Sequence, residues 1–123
     1  MTDLHRVLVV EDEMLILLDL MDNLVDHGLE VLPLYTTEGA LTALRHANID
    51  ALITDIELPG PINGLQLARQ AARLRPGLPI VVMSGGVHPT PGELPSGAAF
   101  IAKPCSVDRI IAALHSQITA HAA

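Results

Sequence analysis

The stretch Arg6-Val7-Leu8-Val9-Val10-Glu11-Asp12-Glu13 decides how this chain is read. Residues 6–10 are a short β-branched run with no polar alternation, the pattern of a strand covered on both faces at the centre of a parallel sheet. The run ends abruptly in three carboxylates. From about Met14 to His27 the period changes: apolar residues at 14, 17, 18, 21, 24 and 25 form one helical stripe, Asp19, Asp22, Asn23 and Asp26 face away, and Gly28 suits a C-cap. A buried strand therefore delivers acids into the start of a helix, and the Met14–Leu18 run is assigned to core packing.

The alternation continues along the chain. Leu29–Leu34 reads as a second strand, with Pro33 tolerable at a sheet edge. Thr36 or Thr37 caps a helix that runs to about Ala47, and Asp50–Thr54 forms a third strand ending at Asp55. After the Leu58–Ile62 loop, Asn63-Gly64-Leu65-Gln66 resembles a capping box, opening a helix that stops before Pro76-Gly77. Pro79–Met83 delivers Ser84, and Ala98–Ala102 delivers Lys103. Ser106 caps a last helix whose stripe is Val107, Ile110, Ile111, Leu114 and Ile118.

Strands and helices in this alternation give an α/β, doubly wound, five-stranded parallel sheet with helices on both faces. In the strand order 2-1-3-4-5, Glu11, Asp12, Asp55, Ser84 and Lys103 all lie at the carboxyl ends of strands, where such sheets collect their ligands. Three carboxylates supply hard oxygen ligands for Mg²⁺. An ammonium and a hydroxyl contact a phosphoryl group.

Composition narrows the function classes. At 123 residues, half of them apolar, the chain is expected to be one domain, 1–123, with no output domain. A formal charge of -7 gives no electrostatic footprint for nucleic acid. No apolar run is long enough to span a bilayer, and no segment has the architecture of a signal peptide, so no membrane partner is expected. Cys105 has no cysteine partner, which agrees with a reducing, cytoplasmic setting and reads as a half-buried small residue. The six histidines lack metal-ligand spacing and read as surface residues.

With these residues in place, the chain resembles the response-regulator receiver domain of two-component signalling over essentially its whole length. The matching segments are Val7–Glu13, Ile53–Gly60, Asn63-Gly64-Leu65, Val81–Gly85 and Phe100–Pro104. The resemblance implies a flavodoxin-like fold in which Asp55 accepts a phosphoryl group from a phosphohistidine on a sensor histidine kinase or histidine phosphotransfer protein. It implies Mg²⁺ held by Glu11, Asp12, Asp55 and the main-chain carbonyl of Glu57, with Lys103 and Ser84 on the phosphoryl oxygens. Ser84 stands where threonine is common and keeps the hydroxyl; Glu11 stands where aspartate is usual and is one methylene longer. Pro104 resembles the proline of the family's cis peptide. Ser84 and Phe100 fall at the family's switch positions, and Phe100 is expected to exchange between two packings on phosphorylation.

One departure from the family pattern stands out. Gly85, Gly86, Pro89, Pro91, Gly92, Pro95 and Gly97 crowd the place of a helix between the fourth and fifth strands, which predicts a shortened or irregular element there. The expected role is a regulatory phosphoacceptor that catalyses its own phosphorylation and dephosphorylation without being a turnover enzyme. It acts through an unidentified downstream protein, and a homodimer is left open. A haloacid-dehalogenase-type phosphatase uses similar groups, but its nucleophile follows the first strand, whereas here the acid pair comes first. A pseudo-receiver that binds partners without phosphorylation is the other alternative, and the intact set of five residues argues against it.

Overall fold

Five short apolar segments form the strands: β1 (Arg6–Val10), β2 (Glu30–Leu34), β3 (Ala51–Asp55), β4 (Ile80–Ser84) and β5 (Ala99–Ala102). They pair in parallel in the order β2-β1-β3-β4-β5. Four helices connect and cover them: α1 (Met14–Asp26), α2 (Thr37–His46), α3 (Gly64–Leu74) and α4 (Val107–Ala122). The structure is a computed structural model and describes residues 4–122. No helix among the described residues is long and apolar enough to cross a membrane.

Alternation along each central strand sorts the core into two layers. Val7, Val9, Ala51, Ile53, Val81 and Met83 face α1 and α4, whereas Leu8, Val10, Leu52, Ile80 and Val82 face α2 and α3. Both faces are apolar because both are covered. Pro33 lies in β2, an edge strand, where its missing N–H costs no ladder bond.

The inward stripe of α1 differs from the expected one. Leu17, Leu20 and Leu24 are buried, whereas Met14, Leu18 and Val25 are exposed and Leu15 is 83% exposed. Five consecutive helical residues span more than a full turn, so the Met14–Leu18 run cannot all face the sheet, and only Leu17 does. In α4 the expected stripe holds, with Ile110 and Leu114 buried and Val107, Ile111 and Ile118 packed partly against them.

Helix ends follow their local chemistry. Thr36 Oγ1 accepts from the N–H of Gly39, and Gly28 closes α1 at φ +85°. Asn63 and Gln66 form the reciprocal capping box of α3. Arg75, just past α3, donates to the carbonyls of Leu44 (2.9 Å) and Ile49 (3.1 Å) and to that of Ala47, satisfying the carboxyl end of α2. Ser106 Oγ accepts from the N–H of Arg109 at the start of α4.

Between β4 and β5 the only regular element is one 3₁₀ turn, Pro91–Glu93, as the glycines and prolines there predict. Arg69 of α3 donates to the carbonyl of Glu93 and ties the turn down. With no helix over this part of the sheet, Phe100 and Ala98 are only partly buried. The Lys103–Pro104 peptide is cis.

Gly64 is where α3 meets the end of β3. Its N–H donates to the carbonyl of Ile56 at 2.9 Å, and a Cβ built there would stand 1.7 Å from the Asp55 carbonyl oxygen. Gly64→Ala is therefore expected to push α3 off the β3 loop and cost about 3 kcal/mol, as forced overpacking does. Chemical denaturation monitored by circular dichroism checks this, and a change within about 0.5 kcal/mol, the size of a neutral surface substitution, contradicts the close approach.

Candidate functional site

The sheet topology brings the acids together. Glu11 follows β1, and Asp55 is the last residue of β3, the strand that pairs with it. One carboxylate oxygen from each of Glu11, Asp12 and Asp55 lies within 4.8 Å of the others. Glu11 is fully buried, Asp55 is 4% exposed and Asp12 faces solvent. Glu11 Oε1 accepts the N–H of Glu13, which holds its side chain back over the turn.

Lys103 reaches this group from the end of β5. Its Nζ stands 3.1 Å from Glu11 Oε2 and 3.2 Å from Asp55 Oδ1. Burial works against its charge, but the two carboxylates outweigh burial and lift its pKa above the ordinary lysine value. Asp55 is pushed the other way: burial first, then the negative charge of Glu11, raise its pKa to about 7, against the pull of Lys103.

Asp55 Oδ1 is buried and, despite its ion pair with Lys103, has no hydrogen-bond partner. Such an oxygen is costly to leave unmatched. A buried anionic oxygen with one ammonium contact, no hydrogen bond and two further carboxylates beside it is what a hard divalent cation such as Mg²⁺ satisfies, so the donor set fits that ion.

Ser84, the last residue of β4, is fully buried and lies on the strand next to β3. Its hydroxyl donates to Glu57 Oε1 and accepts the N–H groups of Gly86 (3.2 Å) and Val87 (2.8 Å). Burial pushes the Glu57 carboxyl up, but the hydroxyl of Ser84 and nearby N–H groups outweigh this and hold it below the usual range. The contact between the Glu57 side chain and Ser84 is not encoded in the motif, because nothing in a linear pattern says which way a loop carboxylate turns.

Two histidine contacts were also missed, although the described histidines are on the surface as expected. His88 meets Phe100 edge-on, with ring centroids 5.4 Å apart. His27, at the end of α1, places Nδ1 on the carbonyl of Asn23 and Nε2 2.9 Å from Asp108 Oδ1 on α4. A cavity of about 730 Å³ lies below it between α1 and α4, floored by Leu20, Met83 and Ile110 and reaching Lys103. Cys105 lines the same cavity, half-buried, and burial pushes its thiol pKa up, away from the reactive thiolate.

Known proteins resemble this chain in sequence and fold. Residues 7–115 match the family profile described as the response regulator receiver domain. An Arabidopsis thaliana protein named as a two-component response regulator, ARR21, is 37% identical over 103 residues. That match covers 80% of this chain, which spans 16% of the relative's length. A response regulator receiver protein from Sinorhizobium medicae is 30% identical with a TM-score of 0.86, covering 96% of this chain and 97% of its own. A CheY-like receiver domain from Methanospirillum hungatei is 28% identical with a TM-score of 0.81, covering 96% and 99%. With the family profile spanning most of the sheet and the solved receivers superposing over nearly the full length, the chain belongs to the response regulator receiver domain family.

Proposed function

We propose that this receiver is a phosphoacceptor of a two-component phosphorelay. Asp55 takes a phosphoryl group from a phosphohistidine on a sensor histidine kinase or histidine phosphotransfer protein. The observation that carries the reading is the buried Asp55 carboxylate, one oxygen of which has no hydrogen bond, set between a lysine ammonium and an acid pair.

In the proposed reaction a carboxylate oxygen of Asp55 attacks phosphorus in line. The P–O bond forms as the P–N bond to the imidazole breaks, and the imidazole nitrogen leaves and takes up a proton. Glu11, Asp12, Asp55 and the main-chain carbonyl of Glu57 would hold Mg²⁺. Bound there, the ion would supply positive charge that offsets the repulsion between two anions. Lys103 neutralises one phosphoryl oxygen as a point charge, and Ser84 donates a hydrogen bond to another. Positioning of this kind accounts for most of the catalysis in phosphoryl transfer. The same groups serve later hydrolysis of the acyl phosphate, so the protein acts on itself and is not a turnover enzyme.

The net charge of -7 supports output through protein contacts and not through nucleic acid, and the setting proposed for the protein is cytoplasmic. Signalling follows from a shift between two packings of the Ser84 loop and Phe100.

Intact-mass analysis after incubation with acetyl phosphate tests the reaction. The wild type is expected to gain one phosphoryl increment only with Mg²⁺, and Asp55→Asn is expected to gain none. An increment retained by Asp55→Asn, or none in the wild type at saturating Mg²⁺, overturns the proposal.

Asp55 also predicts a pH dependence without metal. Below its ordinary value of 3.8 the carboxyl is neutral in both folded and unfolded chains and imposes no penalty. As pH rises towards 7 the unfolded chain releases the proton while folded Asp55 keeps it, so this group's contribution to stability is progressively lost. In metal-free buffer, Asp55→Asn is expected to be more stable than the wild type by about 2 to 4 kcal/mol at pH 8, with the gain shrinking towards pH 4. Urea titrations at several pH values check this, and a gain independent of pH contradicts it.

A further inference from the structure

Ser84 enters the proposed reaction already occupied. Its one proton goes to Glu57, and a hydroxyl has no second proton to give. Ser84 therefore cannot donate to Glu57 and to a phosphoryl oxygen at the same time. Its oxygen meanwhile anchors the N–H groups of Gly86 and Val87, the first residues of the irregular segment after β4. The next residue is His88, whose ring sits against Phe100. An unbroken line of contacts thus runs from Glu57 through Ser84, the 86–87 backbone and His88 to the only phenylalanine in the chain.

We infer that Glu57 is a positioning residue that latches the receiver in its resting conformation by holding the Ser84 proton that the phosphorylated state requires. The inference rests on the phosphoacceptor reading of Asp55 for its consequence, but the latch itself belongs to the unphosphorylated protein. The topology places it there. Glu57 lies two residues beyond the end of β3 and Ser84 ends β4, so the neighbouring strands bring carboxylate and hydroxyl face to face.

Opening the latch has two effects. Ser84 becomes free to turn to the phosphoryl group, and its departure removes the acceptor of the Gly86 and Val87 N–H groups. The 85–88 backbone then loses its fixed start, and His88 loses its fixed place over Phe100. The latch lowers the fraction of molecules ready for phosphate, so the apparent rate of phosphorylation falls by that fraction. A carboxylate held ionised beside Asp55 also repels an incoming anion, and the experiment has to separate this charge effect from the latch.

Hydrogen–deuterium exchange on the full chain, unphosphorylated and free of Mg²⁺, makes the separation. Wild type, Glu57→Gln and Glu57→Ala are compared with Ser84 intact and with Ser84→Ala. Glu57→Ala is expected to speed exchange of the 84–88 amides by about three- to tenfold, local opening being what such exchange reads. Glu57→Gln, which keeps an acceptor oxygen, is expected to give a smaller rise. In the Ser84→Ala background, Glu57→Ala is expected to add nothing. With acetyl phosphate and Mg²⁺, Glu57→Ala is expected to be phosphorylated about fivefold faster than the wild type or more, with that gain also lost in Ser84→Ala, the behaviour of a removed conformational tax. Unchanged exchange in Glu57→Ala overturns the latch, as does an equal rise in both backgrounds, which assigns the effect to charge alone. The expected exchange pattern in a protein that takes no phosphoryl group supports the latch and counts against the phosphoacceptor reading, so the two fail separately.

Discussion

A shortage of positive charge organises this molecule. Among the described residues Lys103 Nζ is the one ammonium within 3.2 Å of both Glu11 and Asp55, and Asp12 adds a third carboxylate to the cluster. Three carboxylates against one ammonium leave two negative charges in excess when all are ionised. Burial makes that excess expensive, and the protein answers by raising the Asp55 pKa to about 7. A divalent cation cancels the same excess. The fold is thus held short of electrostatic balance at one point, and that point is where the chemistry is proposed.

The rest of the architecture keeps these groups converging. Parallel pairing of β1, β3, β4 and β5 aligns four strand ends. Gly64 lets α3 close against the Asp55 carbonyl, and Asp50 accepts the N–H groups of His5 and Arg6 to fix the start of β1. The layers beneath are aliphatic and closely packed, a support that holds side chains to narrow positions. Beside this rigid frame the 85–97 segment has one 3₁₀ turn and few buried groups, the kind of region that opens locally at low cost.

Much of this was legible before the structure. The strand ends at Glu11, Asp12, Asp55 and Lys103, the Asn63–Gln66 capping box and the shortened, irregular segment after β4 follow from residue order as local signals, and the doubly wound pattern with its order 2-1-3-4-5 supplies their convergence. The inward face of α1 was misjudged, because Met14–Leu18 is apolar all round and periodicity cannot choose among equally apolar faces. The Glu57–Ser84 and His88–Phe100 contacts were missed for a different reason. Their roles arise from side chains turning across loops to partners distant in sequence, 27 residues for Glu57 and Ser84, and no spacing rule encodes that turn.

A crystal structure grown with Mg²⁺ and beryllofluoride tests the central claim most directly. The account predicts the beryllium on an Asp55 carboxylate oxygen, the metal held by Glu11, Asp12 and Asp55, and Lys103 and Ser84 each on a fluoride. Metal bound away from this cluster, or Asp55 left unmodified with Lys103 still paired to it, contradicts the account.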